Sequence, residues 1–293
     1  MQKPLFYMVL VESKETDTES FLQYFWTWAE HIGIALSKVA NAAKKQGIDN
    51  PYCSEIALYD FDDFDTSSDE LKQIEDTDIF VSTTRHYYPT EPCLRLADGV
   101  VGAMQDGDFD AEDLQAGFDA YLDDEFYCIN AVLEQEQILP LFLKLSATLP
   151  NIKVCWVVVT DAWEDTDVNQ FWANTALNNM VSIKPFLEYT KKNILKNGLV
   201  SFTVFSDEGA TNLSITDHKE IRLVTHSEQV QQTMVQTLLA SNIQQSNELN
   251  SISGGFHHWH YQQADSLNRT DFIQFLQAEG FTFWQEITAE DED

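Results

Sequence analysis

The chain has 293 residues and a formal net charge of −31, with 17 lysines and arginines against 48 aspartates and glutamates. Hydrophobic residues make up 44% of it. This excludes an intrinsically disordered chain, which combines high charge with low hydrophobicity. The negative field disfavours binding to nucleic acids and to anionic membranes, because both depend on basic side chains. A basic protein, a polyamine or a metal ion is the kind of partner that the field would attract.

The length predicts two domains, which we place at residues 1–150 and 151–293. No apolar run approaches the roughly 20 residues that a membrane span needs, and the N-terminus has no signal-peptide pattern. We therefore expect a cytoplasmic protein. The four cysteines are widely spaced, with no CxxC pair, which favours buried reduced thiols over a zinc site or disulfides.

In chain order, the first half begins with an apolar strand, an acidic loop and a long helix over residues 18–46. The helix is predicted because Phe21, Phe25, Trp28 and Ile32 recur at helical spacing. The elements expected after it are strands at 55–61 and 78–84, a helix at 91–104, a short helix within 106–124 and a strand at 126–132.

The second half repeats this order at a near-constant offset, with Val157 in the place of Val9 and a long helix again after an acidic loop. Each half therefore predicts a β-α-β-β-α-β unit, ferredoxin-like or split βαβ, in an α/β (α+β) protein. Each half has one further helix and strand, at 134–148 with 153–160 and at 269–278 with 281–287. We interpret the halves as an internal duplication.

The sequence shows no catalytic motif. It has no GxSxG elbow, no phosphate-binding loop and no GxGxxG turn, so we predict neither a catalytic residue nor a cofactor. The acidic runs at 60–65 and 106–110 resemble EF-hand calcium loops. The first has Phe64 at the fifth position, where a ligand is required, and the second has Ala111 in place of the glycine and Gly117 in place of the terminal acid.

The leading functional hypothesis is a binding protein that neutralises a basic partner, as an immunity or antitoxin-type inhibitor does with a toxic effector such as a nuclease. Acidic loops would steer the encounter, and aromatic side chains would anchor the complex. The predicted contact residues are Glu12, Glu15, Asp17, Glu19 and Trp26 in the first half and Asp161, Trp163, Glu164, Asp165 and Asp167 in the second. They would form an acidic rim where the two long helices begin.

A second hypothesis is a metal-dependent enzyme that uses the histidines within residues 257–260. In the strand predicted at 256–261, His258 and His260 share one face, and two imidazoles can hold a transition metal if a further ligand joins them. His218 and His226 flank the strand predicted at 220–225 and are the candidate neighbours. A third hypothesis is a regulatory or structural module whose acidity has no role in recognition.

Overall fold

The computed structural model describes residues 3–75, 77–90, 94–104, 113–163 and 168–288. These residues form a mixed α+β protein with two sheets and five α-helices, as the composition and patterning predict. The strands are β1 (Leu5–Lys14), β2 (Glu19–Ala29), β3 (Tyr52–Leu58), β4 (Leu71–Gln73), β5 (Ile79–Ser82), β6 (His86–Pro89), β7 (Val100–Ala103), β8 (Gly117–Asp123), β9 (Phe126–Val132), β10 (Ile152–Val159), β11 (Val168–Asn174), β12 (Val200–Ser206), β13 (Thr211–Ile215), β14 (Ile221–Thr225), β15 (His258–His260) and β16 (Thr282–Thr288). The α-helices are α1 (Ile32–Lys45), α2 (Gln135–Ser146), α3 (Met180–Ile194), α4 (Glu228–Leu239) and α5 (Arg269–Ala278).

The strands divide into two sheets. The first sheet has the order β15-β7-β3-β1-β2-β5-β4, and β6 also pairs with β2. Its strands are antiparallel except for the β3–β7 pair. The second sheet has the order β16-β11-β10-β12-β13-β14-β9-β8 and is antiparallel throughout.

Each sheet is built around a similar β-β-α-β unit. In the first, β1 lies between β2 and β3, and Val9 pairs with Phe25 and Ile56. In the second, β10 lies between β11 and β12, and Val157 occupies the equivalent place. The order of these elements agrees between the halves, but it is β-β-α-β and not the expected β-α-β-β-α-β. The internal duplication stays a prediction.

The core of the first sheet lies between its strands and α1. Val9 and Phe25 are fully buried against Val39 and Ala43 of the helix. Ala35, Val39 and Ala43 recur every four residues and so share one face of α1. Burying each valine-sized side chain contributes roughly 1.5–3 kcal/mol. The second sheet has a larger core to which α2, α3, α4 and α5 all contribute.

The helix predicted over residues 18–46 is wrong in its first half, because residues 19–29 form β2. Phe21 and Phe25 are four residues apart, a spacing that keeps two side chains on one face of either a helix or a strand. Gln23 and Thr27 are buried with them, which is the two-residue repeat of a strand. The buried Gln23 is satisfied because its Nε2 donates to the carbonyl of Ser82 at 2.7 Å.

The same error recurs in the second half. Residues 168–174 form β11, and α3 starts only at Met180, where the side chain of Asn179 caps it. The helix predicted at 91–104 is also wrong, since Val100–Ala103 is a strand and residues 94–98 are not helical. The helix expected within 106–124 is wrong for its described part, which contains β8, and residues 105–112 lie outside the described ranges.

The division of the chain at residue 150 stays a prediction, and sheet membership does not follow it. Strands β8 and β9 precede that point yet belong to the second sheet, and β15 follows it yet belongs to the first.

Among the described helices, none combines the length and apolarity needed to cross a membrane. Three of the cysteines, Cys53, Cys128 and Cys155, are free thiols, and Cys93 lies outside the described residues.

Candidate metal centre between the two sheets

Two histidines lie side by side at the edge of the first sheet. His258 and His260 are alternate residues of β15, which pairs with β7 and places both side chains on one face. Their Nε2 atoms are 3.0 Å apart and their ring centroids 5.0 Å apart. The two imidazoles therefore direct the same ring atom toward one point.

A turn of the second sheet adds a third imidazole. The β13–β14 turn (residues 216–220) is closed by the backbone N–H of Thr216, which donates to the carbonyl of Glu220 at 2.9 Å. It places His218 with its ring centroid 4.9 Å from that of His258 and 4.7 Å from that of His260. One nitrogen from each ring can be chosen so that all three lie within 4.8 Å of one another. We call these three residues the histidine cluster.

The other ring nitrogens of the histidine cluster are held by acceptors. Nδ1 of His218 donates to Oδ1 of Asp217 at 3.1 Å, and Nδ1 of His260 faces Oδ2 of the same carboxylate at 3.5 Å. Nδ1 of His258 donates to the carbonyl oxygen of Phe256 at 2.6 Å. Since a carbonyl and a carboxylate only accept, these contacts assign the proton of neutral His258 and His218 to Nδ1 and leave their Nε2 lone pairs available. His260 can carry its proton on either ring nitrogen. An outer shell of a carboxylate and a backbone carbonyl is the usual way in which metal-binding histidines are oriented.

The protonation states suit a ligand role. Burial lowers the pKa of His258 and that of His260, the latter to about 4, so both rings are neutral near pH 7. Burial also acts on His218, but its bond to Asp217 outweighs burial and raises the pKa. Burial opposes ionisation of Asp217, yet the neighbouring His218 and His260 hold its pKa well below the usual range. The site therefore contains a carboxylate anion beside imidazoles that can give up their protons.

Two further ionisable groups fix the β13–β14 turn. Lys219 is buried, and its Nζ donates to the carbonyls of Val200 at 2.8 Å and Ile194 at 3.2 Å. Burial lowers its pKa to about 7. The buried Glu220 accepts hydrogen bonds from the backbone N–H of Ile252 at 2.5 Å and from Oγ of Ser253 at 3.2 Å, and burial raises its pKa. These contacts connect the turn to the helix before it and to the segment that leads into β15.

Of the histidines considered from the sequence, three meet and two do not. His218, His258 and His260 form the histidine cluster. His257 is exposed and immediately precedes β15, so alternation directs its side chain away from that of His258. The ring centroid of His226 lies 4.5 Å from that of Phe126, and His226 is not part of the cluster.

The first-half acidic residues proposed for partner binding lie on the β1–β2 hairpin and not at the start of a helix. Glu12 is half-buried, whereas Glu15, Asp17 and Glu19 are exposed. Glu15 pairs with Arg85 at 3.4 Å. Trp26 is half-buried, and its ring packs on Tyr24 and Phe64.

Of the second-half residues proposed for partner binding, the structure describes Trp163 and Asp161. Trp163 is only 4% exposed and packs on Phe272, so its indole is a core side chain and not a surface anchor. The backbone N–H of Asp161 is bonded to Asn169. Glu164, Asp165 and Asp167 lie outside the described residues, so the second-half rim stays a prediction.

A different acidic surface, which the sequence reasoning passed over after rejecting calcium, lies on the first sheet. Residues 60–70, which we call the acidic segment, contain six aspartates and glutamates and no lysine or arginine. Phe61 and Phe64 of this segment pack on Phe6, on the side of the sheet opposite α1. Among these carboxylates, the side chain of Phe61 is 39% exposed.

Sequence reasoning also missed Asp217, Lys219 and Glu220. A run of four ionisable residues, 217–220, between two apolar strands was the available signal. No family model matches the chain, and no curated protein or solved structure resembles it at a significant level. The geometry of the histidine cluster and of the acidic segment is therefore the basis for interpreting function.

Proposed function

We propose that this protein binds a divalent transition-metal ion, with zinc favoured, through the Nε2 atoms of His218, His258 and His260. The observation that supports it is the 3.0 Å separation between Nε2 of His258 and Nε2 of His260. When His260 carries its proton on Nδ1, the lone pairs of the two Nε2 atoms face each other, and a cation near both nitrogens stabilises this arrangement. When His260 carries its proton on Nε2, the same contact is a hydrogen bond to Nε2 of His258, which a bound metal ion would replace. An additional proton is a poor candidate for this cation, because burial lowers the pKa of both His258 and His260.

The donor set and its dimensions fit zinc. Zinc binds imidazole nitrogen at about 2.0–2.1 Å, so two tetrahedral ligands lie about 3.3 Å apart. The two β15 nitrogens need to separate by only a few tenths of an ångström to reach this spacing. Neutral imidazoles also suit copper, nickel and iron, so the ion is chosen by geometry and availability. A metal-dependent enzyme is the functional class that a three-histidine site suits best.

The proposal is tested by metal analysis of protein purified without a histidine tag, stripped with chelator and reloaded with zinc. We expect one tightly bound zinc ion per chain in the wild type. The His258→Ala/His260→Ala variant should lose stoichiometric binding, because two of the three ligands are gone.

Matched controls use histidines outside the cluster. His257→Ala removes an imidazole from the residue just before β15, and His226→Ala removes one from the residue just after β14. Both variants should bind zinc like the wild type. A wild type that binds no zinc, cobalt, nickel or copper, or a double variant that still binds stoichiometrically, would rule the proposal out.

A second candidate function, recognition of a basic protein, is favoured by the acidic segment. Within the described part of the chain, its carboxylates make no ion pair, and the exposed aromatic side chain of Phe61 lies among them. An apolar patch with a charged rim is typical of protein interfaces, and charge of one sign steers an oppositely charged partner. A cytoplasmic inhibitor of a cationic toxic effector remains the biological role that this surface would suit.

The test for this function is a pull-down with two charge-matched variants. The first carries Asp62→Asn, Asp63→Asn, Asp69→Asn and Glu70→Gln, all exposed positions of the acidic segment. The control carries Glu125→Gln, Glu136→Gln, Glu248→Gln and Glu279→Gln, which are exposed elsewhere. A basic protein retained by the wild type and the control, but lost by the first variant and at about 0.5 M salt, would support recognition there. Equal retention by both variants would place the site elsewhere.

A further inference from the structure

We infer that the metal held by the histidine cluster keeps a fourth coordination position for an exogenous small ligand, a water or a monoanionic oxygen or nitrogen donor. This inference rests on the proposed metal binding and deepens it, because it distinguishes a reactive site from a purely structural one. Structural zinc sites are closed by four protein ligands, whereas sites that act on a substrate hold the ion with three.

The two carboxylates nearest the histidine cluster already have partners. Asp217 directs Oδ1 to His218 and Oδ2 to His260, so each of its oxygens orients a ligand ring. Glu220 accepts from the backbone N–H of Ile252 and from Oγ of Ser253. Ligation by either carboxylate would compete with these hydrogen bonds, and a buried N–H left without its acceptor costs about 1–3 kcal/mol.

The position is also reachable from solvent. The side chains of His218 and His260 are 24% and 14% exposed, so the cluster lies in a partly open junction and not in a sealed core. Ser253, whose hydroxyl donates to Glu220 of the β13–β14 turn, is exposed as well. Water can therefore reach the cluster without any rearrangement of the sheets.

The local charge selects the class of ligand. A divalent ion with three neutral imidazoles and the Asp217 carboxylate has a net local charge of +1, and the ion is the largest charge in such a site. The net −31 of the whole chain acts over a longer range and is screened beyond about 8–10 Å at physiological salt. At contact distance, a small monoanion such as azide or a carboxylate is attracted, while larger polyanions are repelled on approach.

One glutamate is the natural alternative as a fourth ligand. Glu55 of β3 pairs with Gly102, and Gly102 pairs with His258 in the next strand. Glu55 therefore lies one strand away from the histidine cluster, with contacts of its own. The experiment has to separate this residue from an exogenous ligand.

The test replaces zinc with cobalt(II), whose visible absorption bands report the number and type of its ligands. We titrate the cobalt-loaded wild type with azide and follow the visible bands, with His257→Ala as the matched control. A saturable shift in the bands of both proteins, with one azide bound per cobalt, is the result expected for an open position.

Two outcomes would overturn the inference. If cobalt binds stoichiometrically but azide leaves the bands unchanged, the fourth position is closed while the proposed metal binding stands. If Glu55→Gln gains a response to azide that the wild type lacks, Glu55 is the fourth ligand. Failure of the wild type to bind cobalt at all would instead remove the proposed function, and the inference with it.

Discussion

Charged residues are used in two opposite ways in this protein, and the junction of the two sheets and the acidic segment illustrate them. At the junction, Asp217, Lys219 and Glu220 each have assigned partners: two imidazoles, two backbone carbonyls, and a backbone N–H with a hydroxyl. On the acidic segment, exposed Asp62, Asp63, Asp69 and Glu70 make no ion pair with any other described residue.

This difference shows that position, and not the number of acids, decides what a carboxylate does. Burying a charge costs free energy unless hydrogen-bond partners replace its hydration. Asp217, Lys219 and Glu220 therefore need their partners, and each holds those partners in a fixed orientation. An exposed carboxylate stays hydrated and contributes mainly to the field that other molecules meet. The first two predictions below substitute one residue from each region and compare the results, and the other two test each region separately.

The largest effect on stability is expected at Lys219. Lys219→Met removes the donor of two buried carbonyls, those of Ile194 and Val200, and each unsatisfied group costs about 1–3 kcal/mol. We expect a loss of several kcal/mol in the free energy of unfolding, measured by urea denaturation of the metal-free protein. Lys72→Met, at an exposed position next to the acidic segment, should change it by no more than about 0.5 kcal/mol. Similar losses in both variants would contradict the distinction between the regions.

The next effect concerns metal affinity. Asp217→Asn keeps the shape of the side chain but presents an NH₂ group to one of the two Nδ1 atoms that the carboxylate faces. Loss of such an outer-shell partner lowers metal affinity by about 10–100-fold, which competition with a chelating dye would measure. Asp63→Asn, on the acidic segment, should leave the affinity unchanged. Equal affinities in the two variants would mean that Asp217 does not orient the ligands.

A third prediction concerns pH. Metal binding needs neutral imidazoles, and the pKa of His218 is raised while the pKa values of His258 and His260 are lowered. As the pH falls, His218 is therefore protonated first. The metal affinity should begin to fall at a pH above 6.5, the ordinary histidine pKa. For one competing proton, it should then fall by about tenfold per pH unit. Because Asp217 raises the His218 pKa, Asp217→Asn should move this onset to lower pH. An affinity that stays constant down to pH 5 would disagree with the assignment of His218 as a ligand.

The smallest effect is expected on the acidic segment. Neutralising Asp62, Asp63, Asp69 and Glu70 together removes charge without removing a described ion pair, so the free energy of unfolding should change by no more than about 0.5 kcal/mol per site. Any change should be toward higher stability, because the chain carries an excess of negative charge that repels itself. Marked destabilisation would show that these carboxylates have structural partners.

Several elements followed from local sequence. The strand at 126–132 and the helix at 269–278 occur with the predicted bounds, because each has a clear period and the helix has a capping residue, Asn268. The strand containing His258 and His260 was expected from its residue types, and alternation alone placed both imidazoles on one face. Residues 19–29 were misassigned, since aromatic side chains four residues apart satisfy both periods.

What the sequence determined was the α+β class, the excess of negative charge and the two adjacent imidazoles of β15. What only the tertiary structure decided was that His218 joins them and that Asp217 holds two of the three rings. That meeting depends on β15 leaving the second half of the chain to pair with β7 at the edge of the first sheet, opposite the β13–β14 turn. Local periodicity reports which side of an element faces a core, but the pairing of elements distant in sequence is settled by the packing of both sheets together.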